Sequence, residues 1–369
     1  MTWHTTWTSV KRLLFVRLDN LGDVLLMTPA FRAVRRALPD AYLALLASPV
    51  GAQVGRLNPD LDEVIVYQAP WVDPWQQLPH DPERERAMIE ELRTRRFDAA
   101  IIFTSERQSP LPAAYLCYLA GIPLRLGATS DGAGSLLTTR HRPPTQRIHE
   151  VERALDLVGS VGFATAERSL VLQVPPAAHR TVAARLAQVG AASSPLVIVH
   201  PGCSMPARTY PASHYVDVIE LLLQRYPGWI VITGSDAEQS LVESVYAQLS
   251  PGSKARALPW AGLLTFPELC ALIARAQLVI TNNTGPAHIA AAVGTPVIVI
   301  FALTNPPEQW HPWGIPYQLL FQDVPCRLCY ARICPVDHAC IRRVTPEQVV
   351  ESALHMLAMS RVEGTGNGA

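Results

Sequence analysis

Residues 279–300 contain the turn and side chains best suited to binding an anion. An apolar run ends in two asparagines, a Thr284-Gly285 turn follows, and a helix is expected to begin there with His288 in its first turn. The N-terminus of a helix offers unpaired backbone N–H groups and the positive end of the helix dipole, which suit a diphosphate. Residues 276–307 contain no Asp, Glu, Lys or Arg, so backbone dipoles, hydroxyls and one imidazole would meet a bound charge. A purely structural histidine is the alternative for His288.

A second loop in this half of the chain could add a cation to the same site. The apolar run 196–200 leads into a loop where Gly202 and Ser204 could offer backbone and hydroxyl donors. Arg208 is the cation within reach, and its guanidinium can contact two phosphate oxygens at once. A solvated loop arginine is the alternative interpretation.

Two more turns could contact the rest of a nucleotide. Ser235 and Asp236 follow the apolar run 229–233 and a glycine. Asp236 could accept hydrogen bonds from ribose hydroxyls, or it could simply cap the helix that it begins. Leu264 precedes another helix and could form an apolar wall for a nucleobase, although core packing accounts for a leucine equally well.

Two carboxylates follow the first apolar run of the chain. Asp19 and Asp23 come after residues 12–16, and open α/β sheets bind ligands at the carboxyl ends of their strands. A dinucleotide fingerprint would need three glycines in this turn, and only Gly22 is present. An NAD-dependent dehydrogenase is therefore disfavoured. The alternative for Asp23 is a helix cap without further function.

Four cysteines lie close together near the C-terminus. Cys326, Cys329, Cys334 and Cys340 have intervals of two, four and five residues, and His338 is a spare ligand. Four such side chains can hold a tetrahedral zinc ion, but the intervals are not those of a common zinc finger. Free structural thiols and a reversible disulfide are the alternatives.

Length and composition limit the classes of protein. A chain of 369 residues is long enough for two α/β domains. With 31 basic and 31 acidic residues, a broad field for nucleic-acid binding is not expected. The N-terminus lacks a signal-peptide pattern, and glycine, proline and polar residues interrupt the uncharged run 276–307. We therefore expect a cytoplasmic protein.

Apolar runs alternate with amphipathic segments, which indicates parallel βαβ units. The pattern restarts near residue 176 and predicts two doubly wound, Rossmann-like domains facing a central cleft. Their expected limits are 1–175 and 176–345, followed by a C-terminal helix at 346–358 and a disordered tail at 359–369. Strands are expected at 12–16, 42–47, 63–67, 99–104, 125–127, 196–200, 229–233, 278–281 and 297–301. Helices are expected at 23–37, 83–95, 112–120, 147–161, 177–189, 212–226, 236–249, 266–274, 286–293 and 346–357.

Four motifs in order carry a resemblance to a known family. They are the run from Arg17 to Ala30 (RLDNLGDVLLMTPA), His200-Pro-Gly202, the Gly234-Ser-Asp turn, and Asn283-Thr-Gly-Pro-Ala-His288. Together they resemble glycosyltransferase family 9, the ADP-heptose:lipopolysaccharide heptosyltransferases. The resemblance spans about residues 10–357, which is nearly the whole chain.

The resemblance implies a GT-B fold, with the acceptor on the N-terminal domain and the nucleotide-sugar on the C-terminal domain. It implies inverting sugar transfer that requires no metal or other cofactor, with Asp23 as general base. Thr284, Gly285 and His288 match the phosphate-binding turn of the family, Arg208 stands where members usually carry lysine, and Asp236 lies near a ribose-contacting position. The implied partners are a nucleotide-sugar, ADP-heptose first, and a lipopolysaccharide-core or related glycolipid acceptor at the cytoplasmic face of the inner membrane.

Some features leave alternatives open. Asn283 stands where members often have aspartate, which concerns the choice of sugar or ribose. Arg140 and Arg142 belong to a basic patch that could meet phosphates or acidic sugars of the acceptor, or the patch could be a solvated connection. Asp19 is a further candidate for binding the acceptor. A GT-B transferase or epimerase with a different nucleotide-sugar, and a non-catalytic nucleotide-sugar-binding homologue, are the competing functions.

Overall fold

The structure, a computed structural model, describes residues 6–72 and 77–366, with side chains described up to residue 359. The chain forms two compact units, residues 1–173 and 174–369. In the described residues, no helix is both long enough and apolar enough to cross a membrane.

The first unit is a six-stranded sheet covered by helices. All of its strand pairs are parallel, and the strand order is β3-β2-β1-β4-β5-β6. The strands are β1 (Arg12–Arg17), β2 (Tyr42–Ala47), β3 (Glu63–Val66), β4 (Ala99–Ile102), β5 (Leu124–Ala128) and β6 (Thr139–His141). The helices are α1 (Leu21–Ala37), α2 (Gly51–Gly55), α3 (Pro82–Thr94), α4 (Leu111–Leu119) and α5 (Glu150–Gly159).

The second unit repeats this architecture. Its pairs are also parallel, in the order β12-β11-β10-β7-β8-β9. The strands are β7 (Leu196–His200), β8 (Trp229–Gly234), β9 (Ala257–Ala261), β10 (Leu278–Asn282), β11 (Val297–Ile300) and β12 (Tyr317–Leu320). The helices are α6 (Pro176–Gln188), α7 (Ala212–Arg225), α8 (Gln239–Ala247), α9 (Pro251–Lys254), α10 (Phe266–Arg275), α11 (Gly285–Val293), α12 (Pro307–Trp310), α13 (Ala339–Arg342) and α14 (Pro346–Gly366).

Both sheets therefore have the same topology. Each begins at a central strand, adds two strands on one side, and then crosses over to add three on the other. The direction reverses between β1 and β4 in the first unit and between β7 and β10 in the second. Loops at the carboxyl ends of the two strands diverge at such a switch point and leave room for a ligand. In each unit, a ligand site is expected beside the two strand ends at the switch point.

The central strands are buried on both faces, which explains their continuous apolar sequence. Each of the five residues of β7 and of β10 is buried, and so are the four residues of β4. Helix α14 completes the core of the second unit, where Val349, Ala353 and Leu357 pack with residues of α7.

The structure corrects the predicted elements mainly at sheet edges. Strands β6, β9 and β12 were not predicted, and the expectation that the regular strands end near residue 301 was wrong. Strand β9 contains Pro259, which an edge strand tolerates because one side of its backbone needs no sheet partner. Helix α14 continues to Gly366, beyond the predicted helix end, while residues 367–369 of the predicted disordered tail lie outside the described residues.

Candidate active site

Asp23 lies at the switch point of the first sheet, in the first turn of α1. Asn20 caps the helix, and Asp23 at the third helical position completes a capping box by accepting a hydrogen bond from the Asn20 N–H (3.1 Å through Oδ2). Its other oxygen, Oδ1, accepts from the Arg17 guanidinium at 2.7 Å. Asp23 therefore does take part in capping this helix, as the third residue of the capping box. The capping leaves one lone pair on each carboxylate oxygen for a further hydrogen bond.

Arg17 organises this end of the sheet. It is the last residue of β1 and completely buried, and its NH2 group contacts Asp19 Oδ2 (2.9 Å), Asp23 Oδ1 and the Ser105 hydroxyl (2.7 Å). Ser105 follows β4, so this one side chain links both strands of the switch point. Burial raises the pKa of Asp19, and the charge of Arg17 opposes that rise. Sequence reasoning gave Arg17 no role, although an arginine that ends an otherwise apolar strand was a usable signal.

Glu150 and Arg153 on α5 extend the charged cluster. Glu150 is 1% exposed, and its Oε1 lies 3.3 Å from the Arg153 Nε. Sequence reasoning missed this residue as well. Glu150 shares a helix face with the buried Ala154 and Leu157 at intervals of four and seven residues, and that spacing predicts burial.

In the second sheet, Asn282 joins the two switch-point strands. This last residue of β10 is fully buried, and its amide donates to the carbonyls of Pro201 (2.8 Å) and Gly202 (3.2 Å) after β7. Its oxygen accepts from the Tyr210 N–H at 3.0 Å. Asn282 thus fixes the backbone of the loop that contains Gly202, Ser204 and Arg208. Ser204 is exposed on that loop.

The Glu238 carboxylate lies directly beside Gly202. A Cβ at position 202 would overlap the Glu238 carboxylate. Glu238 in turn accepts two hydrogen bonds from Ser235, through N–H and hydroxyl, at 2.8 Å each. The Ser235-x-x-Glu238 spacing of a capping box is the signal that could have identified Glu238. Burial lowers the pKa of the neighbouring His200, and the Glu238 charge opposes this shift.

A chain of hydrogen bonds connects Arg208 to Asn283. The Arg208 Nε donates to the Thr304 hydroxyl (2.9 Å), which donates to the Asn305 side-chain oxygen (3.3 Å). The same oxygen accepts from the Asn283 amide at 2.9 Å. Arg208 and Asn283, the two positions at which the sequence differs from the family that it resembles, thus belong to one hydrogen-bond network.

Helix α11 begins at the carboxyl end of β10, as predicted. Thr284 is its N-cap residue, Gly285 its first residue, and the buried His288 lies in the first turn. Pro286 has no N–H, and the Ala287 N–H donates to the Thr284 carbonyl at 3.1 Å. The backbone donors that this turn can offer an anion are therefore those of Thr284 and Gly285, fewer than a helix without proline would provide.

The other residues predicted to bind the nucleotide-sugar follow strands β8 and β9. Ser235 and Asp236 come directly after β8 and are exposed, while Leu264 lies between β9 and α10 and is half-buried. All three are therefore at the same carboxyl edge of the sheet as Gly202 and Gly285.

The basic residues proposed for the acceptor lie away from Asp23. Arg140 is an exposed residue of the edge strand β6, where it donates to the Asp131 carbonyl at 3.3 Å, and the exposed Arg142 follows it. Strand β6 is three strands from β1, which corresponds to roughly 14 Å at the usual spacing between strands. Of the tentative acceptor residues, only Asp19 is beside Asp23.

The four C-terminal cysteines line one small cavity, which Ala207 and Thr304 also line. All four are free thiols. Cys334 Sγ accepts from the His338 N–H at 3.1 Å, and burial raises the pKa of Cys340. Across residues 6–72 and 77–366, no three His, Cys, Asp or Glu side chains have a geometry that could hold a metal ion. The segment that contains the four cysteines therefore lies against the loop of Arg208, and its four cysteines are free thiols.

Comparisons with known proteins agree with this architecture. The model of glycosyltransferase family 9 (heptosyltransferase) matches residues 85–340. Lipopolysaccharide heptosyltransferase 3 of Escherichia coli is 25% identical over 296 residues, which cover 79% of this chain and 84% of that protein. Lipopolysaccharide heptosyltransferase 1 of Pseudomonas aeruginosa is 26% identical, with coverage of 94% and 98%.

Solved structures confirm the predicted GT-B fold class. The ADP-heptose lipopolysaccharide heptosyltransferase II of E. coli superposes with a TM-score of 0.77 at 20% identity, covering 95% of this chain and 99% of that one. A family 9 glycosyltransferase from Veillonella parvula gives a TM-score of 0.79 at 20% identity, with coverage of 97% and 100%. Together with the family match over most of the sequence, these findings show that the chain is a glycosyltransferase and belongs to glycosyltransferase family 9.

Proposed function

We propose that this enzyme transfers a heptose from ADP-heptose to the core of a lipopolysaccharide, with inversion at the anomeric carbon. The observation that carries the proposal is the position of the predicted residues: Asp23 and the Thr284-Gly285 turn each lie at the switch point of a sheet. The names of the relatives, lipopolysaccharide heptosyltransferases 1 and 3, support heptose and a lipopolysaccharide as the substrates.

Asp23 is the proposed general base. The acceptor hydroxyl gives its proton to the Asp23 carboxylate while its oxygen forms a bond to the anomeric carbon of the donor sugar. The bond between that carbon and the β-phosphate oxygen breaks, and ADP leaves with the bonding electron pair. Attack on the face opposite the leaving group inverts the configuration. The hydrogen bonds from Arg17 and Asn20 hold the Asp23 carboxylate in one orientation for this step.

The second unit is proposed to stabilise the leaving diphosphate. Its negative charge increases as the glycosidic bond breaks, and donors already aimed at it lower the barrier. The N–H groups of Thr284 and Gly285 and the guanidinium of Arg208 are the proposed donors. The Thr304 hydroxyl accepts from Arg208 Nε, and the terminal nitrogens of a guanidinium can contact two phosphate oxygens. Asp236 and Leu264 are assigned to the ribose and the base.

We propose that catalysis requires no metal ion, because a cation and helix-end dipoles meet the diphosphate charge. The four cysteines are assigned a separate, structural role. A structural zinc ion held by Cys326, Cys329, Cys334 and Cys340 would require these thiols to approach one another, because no three of the described His, Cys, Asp and Glu side chains have metal-binding geometry. Metal analysis of the purified protein tests this, and less than stoichiometric zinc in a folded, active enzyme would contradict it.

The proposed acceptor is a glycolipid, so the enzyme is proposed to act in the cytoplasm at the inner membrane surface. The decisive experiment incubates the protein with ADP-heptose and with lipopolysaccharide that lacks its heptoses. We expect ADP release, heptose on the acceptor, and turnover unchanged by EDTA. Asp23→Asn should reduce turnover by roughly 10² or more with little change in donor affinity.

Three outcomes would contradict parts of this proposal. Near-native turnover of Asp23→Asn would remove Asp23 as the base. Transfer from another nucleotide-sugar, with none from ADP-heptose, would overturn the donor assignment. Loss of activity in EDTA, restored by Mg²⁺, would overturn the metal-free mechanism. The matched control is Asp62→Asn, which lies in the same unit with a carboxylate side chain that is 41% exposed.

A further inference from the structure

Glu150 is a buried carboxyl group that the proposed mechanism does not use. It is 1% exposed at the first position of α5, and neither of its oxygens accepts a hydrogen bond from the described residues. Among the residues that the structure describes, its ion-pair partner is the Arg153 Nε at 3.3 Å. A buried carboxylate without hydrogen bonds is costly, and such groups commonly retain a proton instead.

The charges around Glu150 do not balance when all groups are ionised. The cluster contains three carboxyl groups, Asp19, Asp23 and Glu150, and two guanidinium groups, Arg17 and Arg153. Its sum is therefore minus one, and a single bound proton makes it neutral. Both Asp23 oxygens accept hydrogen bonds, and Asp19 has an ion pair at 2.9 Å. Glu150 has the weakest contacts and is the group expected to hold the proton.

The acidity of Glu150 agrees with this assignment. Burial raises the pKa of Glu150 to about 7, while Arg153 and Arg17 oppose the rise and the negative charges of Asp23 and Asp19 add to it. Its charge therefore changes near neutral pH.

We propose that Glu150 is a positioning residue that tunes the basicity of Asp23 through the presence or absence of its own proton. The proposal rests on the proposed function of Asp23 as the base. An ionised Glu150 repels the negative charge of Asp23 and competes for Arg17, and both effects increase the affinity of Asp23 for a proton. A stronger base accelerates the transfer of the proton from the acceptor hydroxyl. Loss of the Glu150 proton should therefore activate the enzyme.

Other titratable groups could produce a similar pH response and must be separated from Glu150. His141 ends β6 and pairs with Asp156 of α5 at 2.6 Å, and both line a cavity with Glu150. The charged groups that act on Glu150 from β1, the following loop, α1 and α5 are Arg17, Asp19, Asp23 and Arg153. His141 and Asp156 line the same cavity as Glu150.

The first test is the pH dependence of kcat/KM. In the wild type we expect an increase of about threefold to tenfold between about pH 5.5 and about pH 8.5, centred near the pKa of Glu150. Glu150→Gln carries a permanently neutral group of the same shape, so its kcat/KM should lack this step and stay at the acidic-limit value. Glu150→Asp should restore a step. Glu152→Gln, on the same helix but paired with Arg168 at the surface, and His141→Gln should both retain the wild-type step.

A second measurement detects the proton itself and does not depend on activity. Infrared spectra should show the C=O band of a protonated carboxyl group that disappears as pH rises through about 7 and that is absent from Glu150→Gln. Absence of this band from the wild type, or a wild-type kcat/KM step that persists in Glu150→Gln, would overturn the proposal. A titrating Glu150 band in a protein that transfers no heptose would support the proton assignment while contradicting the proposed function.

Discussion

The two units use one topology for opposite electrostatic purposes. At the switch point of the first sheet, the residues beside the strand ends are charged: Arg17 and Asp23 are buried, Asp19 is partly buried, and the buried Glu150 is nearby. At the switch point of the second, the buried side chains are the neutral amides of Asn282 and Asn283, together with His288. Ionisable groups that lie close together shift one another's pKa values, and one of them can then accept or release a proton during the reaction. A neutral set of dipoles can receive a diphosphate without a counter-charge that must first be displaced.

The two sites also differ in how their buried polar groups are stabilised. The first unit buries Arg17 to neutralise two carboxylates, so its site depends on one side chain. In the second unit, several hydrogen bonds hold the site together: the Asn282 amide donates to two carbonyls, and the Asn283 amide donates to Asn305. A single substitution should therefore damage the first site more than the second.

Among the substitutions that test this difference between the units, Arg17→Met should cause the largest loss of stability. It leaves Asp19 and Asp23 without their buried partner, and removal of one member of a buried ion pair typically costs about 3–5 kcal/mol. Chemical unfolding would measure the loss of stability. Arg36→Met is the matched control because Arg36 is 57% exposed and pairs with Glu167 at the surface, where an ion pair contributes at most about 1 kcal/mol. Equal effects of the two substitutions would refute the special role of Arg17.

The stability of the protein should depend on the ionisation of Glu150. Its pKa is higher in the folded protein than in the unfolded chain, where the ordinary value is 4.5. Between about pH 4.5 and about pH 7 the folded state binds the extra proton, so the free energy of unfolding should fall as pH rises and then level off. The decrease is at most about 3 kcal/mol. Melting temperatures across this range would detect it, and Glu150→Gln should show a smaller decrease. A wild-type-sized slope in that variant would contradict the assignment.

The smallest effect is expected for Arg208→Lys in the second unit. Lysine keeps the charge but loses both the fork geometry and the Nε donor to Thr304. The Kd of the nucleotide donor should rise about tenfold, or about 1.4 kcal/mol, with little loss of fold stability. Thr304→Val removes the same hydrogen bond and keeps the guanidinium, so it should weaken donor binding less. Unchanged donor affinity in Arg208→Lys would show that the guanidinium does not contact the diphosphate.

The central features of both sheets were predictable from sequence because they are encoded locally. The apolar runs of β1, β7 and β10 and the turns that follow them lie within a few residues of Asp23, Gly202 and Gly285. Edge strands were not predictable in the same way. Thr139–His141 is too short and polar to indicate a strand, and Pro259 in β9 argued against one.

The clustering of charges was also beyond local reasoning. Glu150 joins Arg17 only because α5 packs against α1 after more than a hundred intervening residues. Likewise, the contact between Gly202 and Glu238 requires β7 and β8 to be neighbours in the sheet. Sequence patterns predicted the central strands with ends correct to within two residues, but tertiary packing determined which side chains meet beside those ends.

The tight contact between Gly202 and Glu238 limits how donor choice can be re-engineered. A Cβ at position 202 would overlap the Glu238 carboxylate, so a side chain there should force this carboxylate to move and to give up its hydrogen bonds from Ser235. The exposed Ser204, two residues further along the same loop, has no such restriction. Randomisation for altered sugar-nucleotide use should therefore start at position 204 and leave the glycine intact.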